Sequence, residues 1–232
     1  MKVDKCTAIL LAAGQGKRMG GKIPKQFLHI LDKPVIYYAL KCFQNSEIID
    51  EVILVTSDEM LTYCKKDIVE SFGFTKVSQV VAGGKQRYDS VYEGLKACGD
   101  ADYVFIHDGA RPFVTEQILR AGYEDVKTYG ASVAGVPSKD TVKLADDEGM
   151  VDDTPDRNKV WSIQTPQIFS YHLIRGAYER LQHFEKDGIT DDAMVVELME
   201  KHPVHLFMGC YRNIKITTAE DLEIAGVFVK KT

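Results

Sequence analysis

Nothing in this 232-residue sequence reads as a membrane span, a disulfide framework or a nucleic-acid surface. It contains no run of about 18 apolar residues, which excludes a transmembrane helix. The five cysteines, Cys6, Cys42, Cys64, Cys98 and Cys210, are odd in number and form no CxxC pair. Most sit in apolar stretches, which fits reduced, buried thiols and neither disulfides nor a zinc site. Positive charge is in deficit: 29 Lys and Arg against 34 Asp and Glu give a net charge of −5. Such a chain is a poor nonspecific binder of nucleic acid. The six histidines are scattered, and His202-x-x-His205 spans a proline, so both read as ordinary surface or strand residues. No linker, low-complexity tract or internal repeat interrupts the chain. Met1 to Lys5 leads straight into an apolar strand with no signal or transit pattern, so a cytoplasmic location is expected.

Two common phosphate-binding signatures are also missing. GxxxxGK[ST] does not occur, which excludes a P-loop. Gly14-x-Gly16-x-x-Met19 lacks the third glycine of a dinucleotide fingerprint, and Gly20 falls one residue late. What stands there instead is an apolar strand feeding a glycine-rich, cationic loop. Glycines 14, 16, 20 and 21 let a backbone wrap closely around phosphates. Lys17, Arg18, Lys22 and Lys25 suit that loop to a triphosphate, and Pro24 argues against an early helix.

Hydrophobic residues make up 45% of the chain, enough for a sizeable core. Short β-branched runs at Thr7–Leu11, Glu51–Thr56, Val77–Val81, Tyr103–His107 and Ala131–Val136 alternate with amphipathic segments. Those segments, at Pro34–Gln44, Glu59–Phe72, Gln86–Ala97 and Glu116–Lys127, predict helices. Alternation of this kind specifies an α/β fold: a single Rossmann-like domain over residues 1–232, with a mostly parallel twisted sheet flanked by helices. Ligands of such sheets sit at the carboxyl ends of the strands. The first loop, Ala82-Gly83-Gly84 and His107-Asp108-Gly109 all follow predicted strands there.

From Ser138 to Arg157 the pattern breaks into a polar hairpin, with Asp140–Leu144 turning at Asp146–Gly149 into Met150-Val151. A two-stranded hairpin alone is marginal in water. It is therefore expected to be a protruding β-arm, at about residues 138–160, that packs on a partner subunit. Beyond Trp161 the sequence predicts a loop at Gln164–Gln167, a helix over Tyr171–Phe184, and a second helix capped by Thr190 and running to Lys201. Strands at Val204–Met208 and Asn213–Thr217 follow, then a last helix from Thr218.

Asp108 closes an apolar strand before Gly109-Ala110-Arg111-Pro112. A carboxylate at that place either holds a divalent cation, Mg²⁺ being oxygen-liganded, or caps the turn; the cationic loop favours the metal. Gly83-Gly84-Lys85-Gln86 runs into a helix that carries Ser90. That segment reads as a plain helix start, and its amides and hydroxyl also suit a base edge. Lys215 lies between Ile214 and Ile216 and points opposite to both if the strand alternates.

These stretches together resemble the 2-C-methyl-D-erythritol 4-phosphate cytidylyltransferase family. The first loop with Pro24-Lys25-Gln26-Phe27 carries the likeness. So do Gly83-Gly84-x-x-Arg87-x-x-Ser90-Val91, His107-Asp108-x-Ala110-Arg111-Pro112, Asp156-Arg157-Asn158-x-x-Trp161 with Thr165-Pro166-Gln167, and Asn213–Thr217 with Glu220-Asp221-Leu222. The resemblance implies transfer of CMP from CTP, with Mg²⁺, to methylerythritol phosphate by a homodimer whose arm reaches the partner's site. It implies that Arg18, Lys25 and Lys215 surround the reacting phosphates and that Asp108 sits by the metal. Backbone groups of Ala13, Gly14, Gly16 and Gly83, with Ser90, would hold CTP; Thr141 and Arg157 would contact the sugar phosphate. Tyr37-Tyr38, Gly109 and Asp192 depart from the usual residues of that family, and Gly109 leans toward the sibling ribitol-5-phosphate cytidylyltransferases. The sibling reaction and a non-enzymatic nucleotide-binding module are the competing readings.

Overall fold

The computed structural model describes residues 4–14, 23–186 and 188–230. In chain order the strands are β1 Cys6–Ala12, β2 His29–Ile30, β3 Lys33–Pro34, β4 Glu51–Thr56, β5 Val77–Ala82 and β6 Tyr103–Asp108. Then come β7 Ala131–Pro137, β8 Leu144–Ala145, β9 Val151–Asp153, β10 Trp161–Ser170 and β11 His205–Met208. The helices are α1 Val35–Asn45, α2 Leu61–Tyr63, α3 Arg87–Ala97, α4 Glu116–Tyr129, α5 Tyr171–Leu181, α6 Asp192–Glu200 and α7 Ala219–Lys230.

Seven strands form the central sheet in the order β11-β7-β10-β6-β1-β4-β5. All neighbours pair in parallel except β10, which runs antiparallel between β6 and β7. The interior strands are apolar on both faces, as burial on both sides requires. From β1, Cys6, Ala8, Leu10 and Ala12 pack with Ile36, Leu40 and Phe43 of α1 on one face. Ile9 turns to the other face, with Val91 and Leu95 of α3 and Ile174 and Tyr178 of α5. Thr115 starts α4 by accepting the Ile118 N–H, and Gly130 ends it at φ +74°, a left-handed conformation suited to glycine. None of the five cysteines is in a disulfide, and Cys6, Cys64 and Cys98 are buried. Among the described residues no helix is long and apolar enough to cross a membrane.

Four expectations are corrected. Gln164–Gln167 is not a loop: it lies within β10, whose register against β7 shifts between Ile163 and Gln167, so Pro166 sits where the ladder is already interrupted. Asn213–Thr217 is not a strand but an irregular segment bound to the end of β6. The Glu59–Phe72 helix is irregular, passing from a 3₁₀ turn (Asp58–Met60) through α2 into a π-helical stretch (Cys64–Glu70). The cap of α6 is Asp191, whose carboxylate accepts the Met194 N–H, and not Thr190.

The hairpin exists, but its ladder is short. Only Leu144–Ala145 pairs with Val151–Asp153, so the predicted strand from Asp140 joins the ladder at its last residue. The expected turn closes through Asp146 N–H to the Met150 carbonyl at 3.0 Å, with Gly149 at φ +83°.

Candidate active site

The parallel register brings the ends of β1, β4, β5 and β6 into line. Leu11 faces Asp108, Ala12 faces Thr56, and Thr56 faces Ala82. The loops leaving these strands enclose a cleft of about 830 Å³. Ala13, Gly14, Lys25, Gly83, Ser90, Asp108 and Lys215 all line it, so seven of the predicted site residues converge. Gly16 and Arg18 lie outside the described residues. Thr141 and Arg157 do not line the cleft; both are exposed on the hairpin segment.

Ala13-Gly14 after β1 and Gly83-Gly84 after β5 form one side. Gly83 donates its N–H to the Thr56 carbonyl at 2.7 Å. A Cβ at Gly83 would stand 2.6 Å from Ser90 Oγ and 2.8 Å from Ala13 Cβ, so only glycine lets the two turns approach this closely. Ser90 Oγ accepts the Gly84 N–H and donates to the Gln86 carbonyl, each at 3.2 Å, which fixes the turn where it enters α3. The helix start is reinforced by reciprocal bonds between Gln86 and Asp89.

Lys25 is placed by its neighbours. A 3₁₀ turn, Lys25–Phe27, follows Pro24 and buries Gln26 and Phe27. Phe27 packs edge-on against Tyr63 at 5.4 Å. Gln26 Nε2 donates to the carbonyls of Ala12, at 2.5 Å, and Gly14, at 3.0 Å, tying the turn to the end of β1. Pattern reading assigned Gln26 no role; a polar residue beside a buried Phe is the only local sign of it.

Lys215 reaches the cleft from an irregular segment held by distant partners. Ile216 N–H donates to the Ala110 carbonyl at 2.8 Å, and Arg111 Nη1 donates to the Asn213 carbonyl at 2.7 Å. Asn213 Nδ2 in turn donates to the Thr165 carbonyl at 2.8 Å. Ile216 and Ile214 pack with Ile30 and Val35, so Lys215 turns away from them as expected, although no strand makes it do so.

Asp108 is the electrostatic centre. Lys215 Nζ donates to Oδ2 at 2.6 Å and Arg87 Nε donates to Oδ1 at 3.3 Å. Burial pushes its pKa up, but the charges of Arg87 and Lys215 outweigh burial and hold it well below the usual carboxylate range. Its backbone is fixed separately. Thr165 Oγ1 accepts the Asp108 N–H at 3.1 Å and lies 3.0 Å from His107 Nδ1. His107 Nε2 lies 3.0 Å from the Arg111 carbonyl oxygen, which can only accept. Nε2 therefore carries the proton, and Nδ1 accepts from the Thr165 hydroxyl. Burial pushes the His107 pKa down to about 4, so the ring is neutral at pH 7. Asp108 thus does not serve as a side-chain cap of its turn; its carboxylate belongs to an ion network.

Among the described residues no three His, Cys, Asp or Glu side chains cluster as a ready-made metal cage. A single ionised carboxylate at the edge of a cleft does suit Mg²⁺, which takes one or two carboxylates, keeps water and completes its shell with substrate phosphates. Asp108 fits that role, since among the described residues the side chains its oxygens meet are the cations Arg87 and Lys215.

The family model of 2-C-methyl-D-erythritol 4-phosphate cytidylyltransferase matches residues 6–231. The chain is 47% identical to the protein of that name from Lachnoclostridium phytofermentans, over 99% of this chain and 98% of that one. It is 50% identical to the one from Lachnospira eligens, over 97% and 99%. Its fold is similar to the crystal structure of 4-diphosphocytidyl-2C-methyl-D-erythritol synthase from Anaerococcus prevotii, with a TM-score of 0.85 and 33% identity. That match covers 98% of this chain and 99% of the other.

Proposed function

The chain belongs to the 2-C-methyl-D-erythritol 4-phosphate cytidylyltransferase family, and we propose that its cleft binds CTP while its hairpin completes the site of a second copy. The enzyme is a CTP-dependent nucleotidyltransferase. It transfers CMP from CTP to 2-C-methyl-D-erythritol 4-phosphate, forming 4-diphosphocytidyl-2-C-methyl-D-erythritol and pyrophosphate in isoprenoid precursor synthesis.

The nucleophile is an oxygen of the acceptor's phosphate. With a second pKa of about 6, a phosphate monoester is already ionised at neutral pH, so no side chain has to remove a proton. An acceptor oxygen bonds to the α-phosphorus of CTP as the bond from that phosphorus to the α–β bridging oxygen of CTP breaks, and that oxygen leaves as part of pyrophosphate. The work left to the protein is alignment and charge. In this reading Ala13, Gly14 and Gly83 cradle CTP by their backbones, with Ser90 beside the base. Lys25 and Lys215 bear on the phosphates around the reacting phosphorus, and Arg18 and Gly16 join them from the first loop. Asp108 would hold Mg²⁺, which when bound supplies positive charge to the triphosphate oxygens.

Arg157 and Thr141 are assigned to the acceptor phosphate, reached in the partner subunit. A guanidinium can grip a phosphate with two parallel bonds. The exposure of Leu144, Met150 and Val151, at 53%, 66% and 56%, supports packing of the hairpin on another surface. Five cysteines outside any disulfide fit a reducing compartment such as the cytoplasm.

The observation that carries this reading is the meeting of Lys25, Asp108 and Lys215 from three separate segments in one cleft floored by glycine turns. Pyrophosphate release with CTP and Mg²⁺ tests it. Release is expected with methylerythritol phosphate and not with ribitol phosphate; faster release with ribitol phosphate overturns the acceptor.

A further inference from the structure

Asp108 offers two oxygens to two cations, and the two cations are held very differently. Lys215 is a flexible chain on an irregular segment, its side chain 36% exposed. Arg87 is anchored from behind. Its Nη1 and Nη2 donate to the two oxygens of Asp192 at 2.8 and 2.7 Å, in a bidentate fork. The Asp192 side chain is fully buried, and Oδ1 also accepts the Tyr178 hydroxyl at 2.6 Å. Gln167 Oε1 accepts the N–H groups of Asp192 and Ala193, both at 3.0 Å, and so pins the start of α6 to β10.

Stability alone is a weak reason to bury such a pair. Desolvating two charges costs about as much as their attraction returns, and an apolar replacement is often neutral or better. What the pair does supply is direction. A planar guanidinium can commit two nitrogens to Asp192 and still aim Nε at Asp108, which a lysine cannot do.

We propose that Arg87, fixed by Asp192, is a positioning residue for the transfer reaction: it holds Oδ1 of Asp108 so that Oδ2 stays turned to Lys215 and the cleft. The inference rests on the reading of Asp108 as the carboxylate beside the reacting phosphates. Loss of the anchor then removes alignment while the cations of Arg87 and Lys215 stay beside Asp108.

The test compares Asp192→Asn, Arg87→Lys and Asp108→Asn in the full chain. Thermal unfolding, kcat, KM for both substrates, and Mn²⁺ binding in the presence of CTP by electron paramagnetic resonance are measured for each. For Asp192→Asn and Arg87→Lys, kcat is expected to fall ~10- to 100-fold, the cost of a small misplacement. KM for CTP and for the acceptor stays as in the wild type, and Mn²⁺ binding weakens in the same direction as for Asp108→Asn. Arg87→Lys keeps a cation in the cleft and decides the matter if Asp192→Asn does not fold. Variants that melt lower but turn over and bind Mn²⁺ like the wild type overturn the proposal. So does a rise confined to KM, which would make Arg87 a substrate contact. If Asp108→Asn binds Mn²⁺ normally, the reading of Asp108 fails; if only Asp108→Asn loses Mn²⁺, the positioning role alone fails.

Discussion

The cleft and the hairpin carry the same kinds of side chain, cations and hydroxyls, in contrasting physical states. In the cleft Asp108, Ser90, His107 and Thr165 are each at most 8% exposed, and every one has a partner of defined geometry. In the hairpin segment from Lys139 to Lys159, only Val142 and Pro155 are even half-buried. Arg157 has one long bond, from Nη1 to the Lys139 carbonyl at 3.4 Å, and Lys143 Nζ bonds the Thr154 hydroxyl at 2.7 Å. One region is organised by its own chain before any ligand arrives. The other has little of its own chain to organise it, and in the proposed reading a partner subunit orders its cations.

Substitutions break this contrast in different ways. Lys25→Ala or Lys215→Ala should lower kcat by about 10²–10³, as loss of a charge-stabilising donor does, with CTP affinity changed far less. Steady-state kinetics against CTP checks this. Arg157→Ala should cost about 1.5–3 kcal/mol in kcat/KM for the acceptor, the worth of a hydrogen bond to a charged group. Its thermal unfolding should match the wild type, since an exposed residue supports little of the fold. Thr165→Val strips the partners from the Asp108 N–H and His107 Nδ1 and should cost about 1–3 kcal/mol in urea unfolding. Leu144→Asp with Val151→Asp should change protomer stability by less than about 0.5 kcal/mol. The same pair should lower the mass seen by light scattering toward the monomer.

The contrast also explains what could be read from the residues alone. Strand ends and glycine turns are local: β-branched runs such as Glu51–Thr56 and the Gly83-Gly84 turn announce themselves within a few residues. Their convergence follows from the parallel sheet. The ties behind them are not local. Arg87 and Asp192 stand 105 residues apart, and no spacing rule pairs them. Gln164 and Gln167 read as loop because buried glutamines are rare. They are tolerated in β10 because Gln164 Nε2 donates to the Cys210 carbonyl at 2.8 Å and Gln167 serves the start of α6. Asn213–Thr217 has the composition of a strand, yet its backbone bonds go to Ala110, Arg111, Cys210 and Asp221 and not to a neighbouring ladder. Thr190 and Asp191 are both good caps, and the cap is Asp191, whose other oxygen also accepts from Gln167 Nε2 at 2.9 Å.

Subunit mixing tests the contrast most directly. Lys25→Ala disables a cleft and leaves the hairpin intact; Arg157→Ala does the reverse. Each variant alone should be impaired about 10-fold or more at subsaturating acceptor, while co-expressed chains purified as mixed dimers should regain pyrophosphate release, because one intact cleft then meets one intact hairpin. Mixed dimers of verified composition that remain as impaired as the parents would contradict a site shared between subunits.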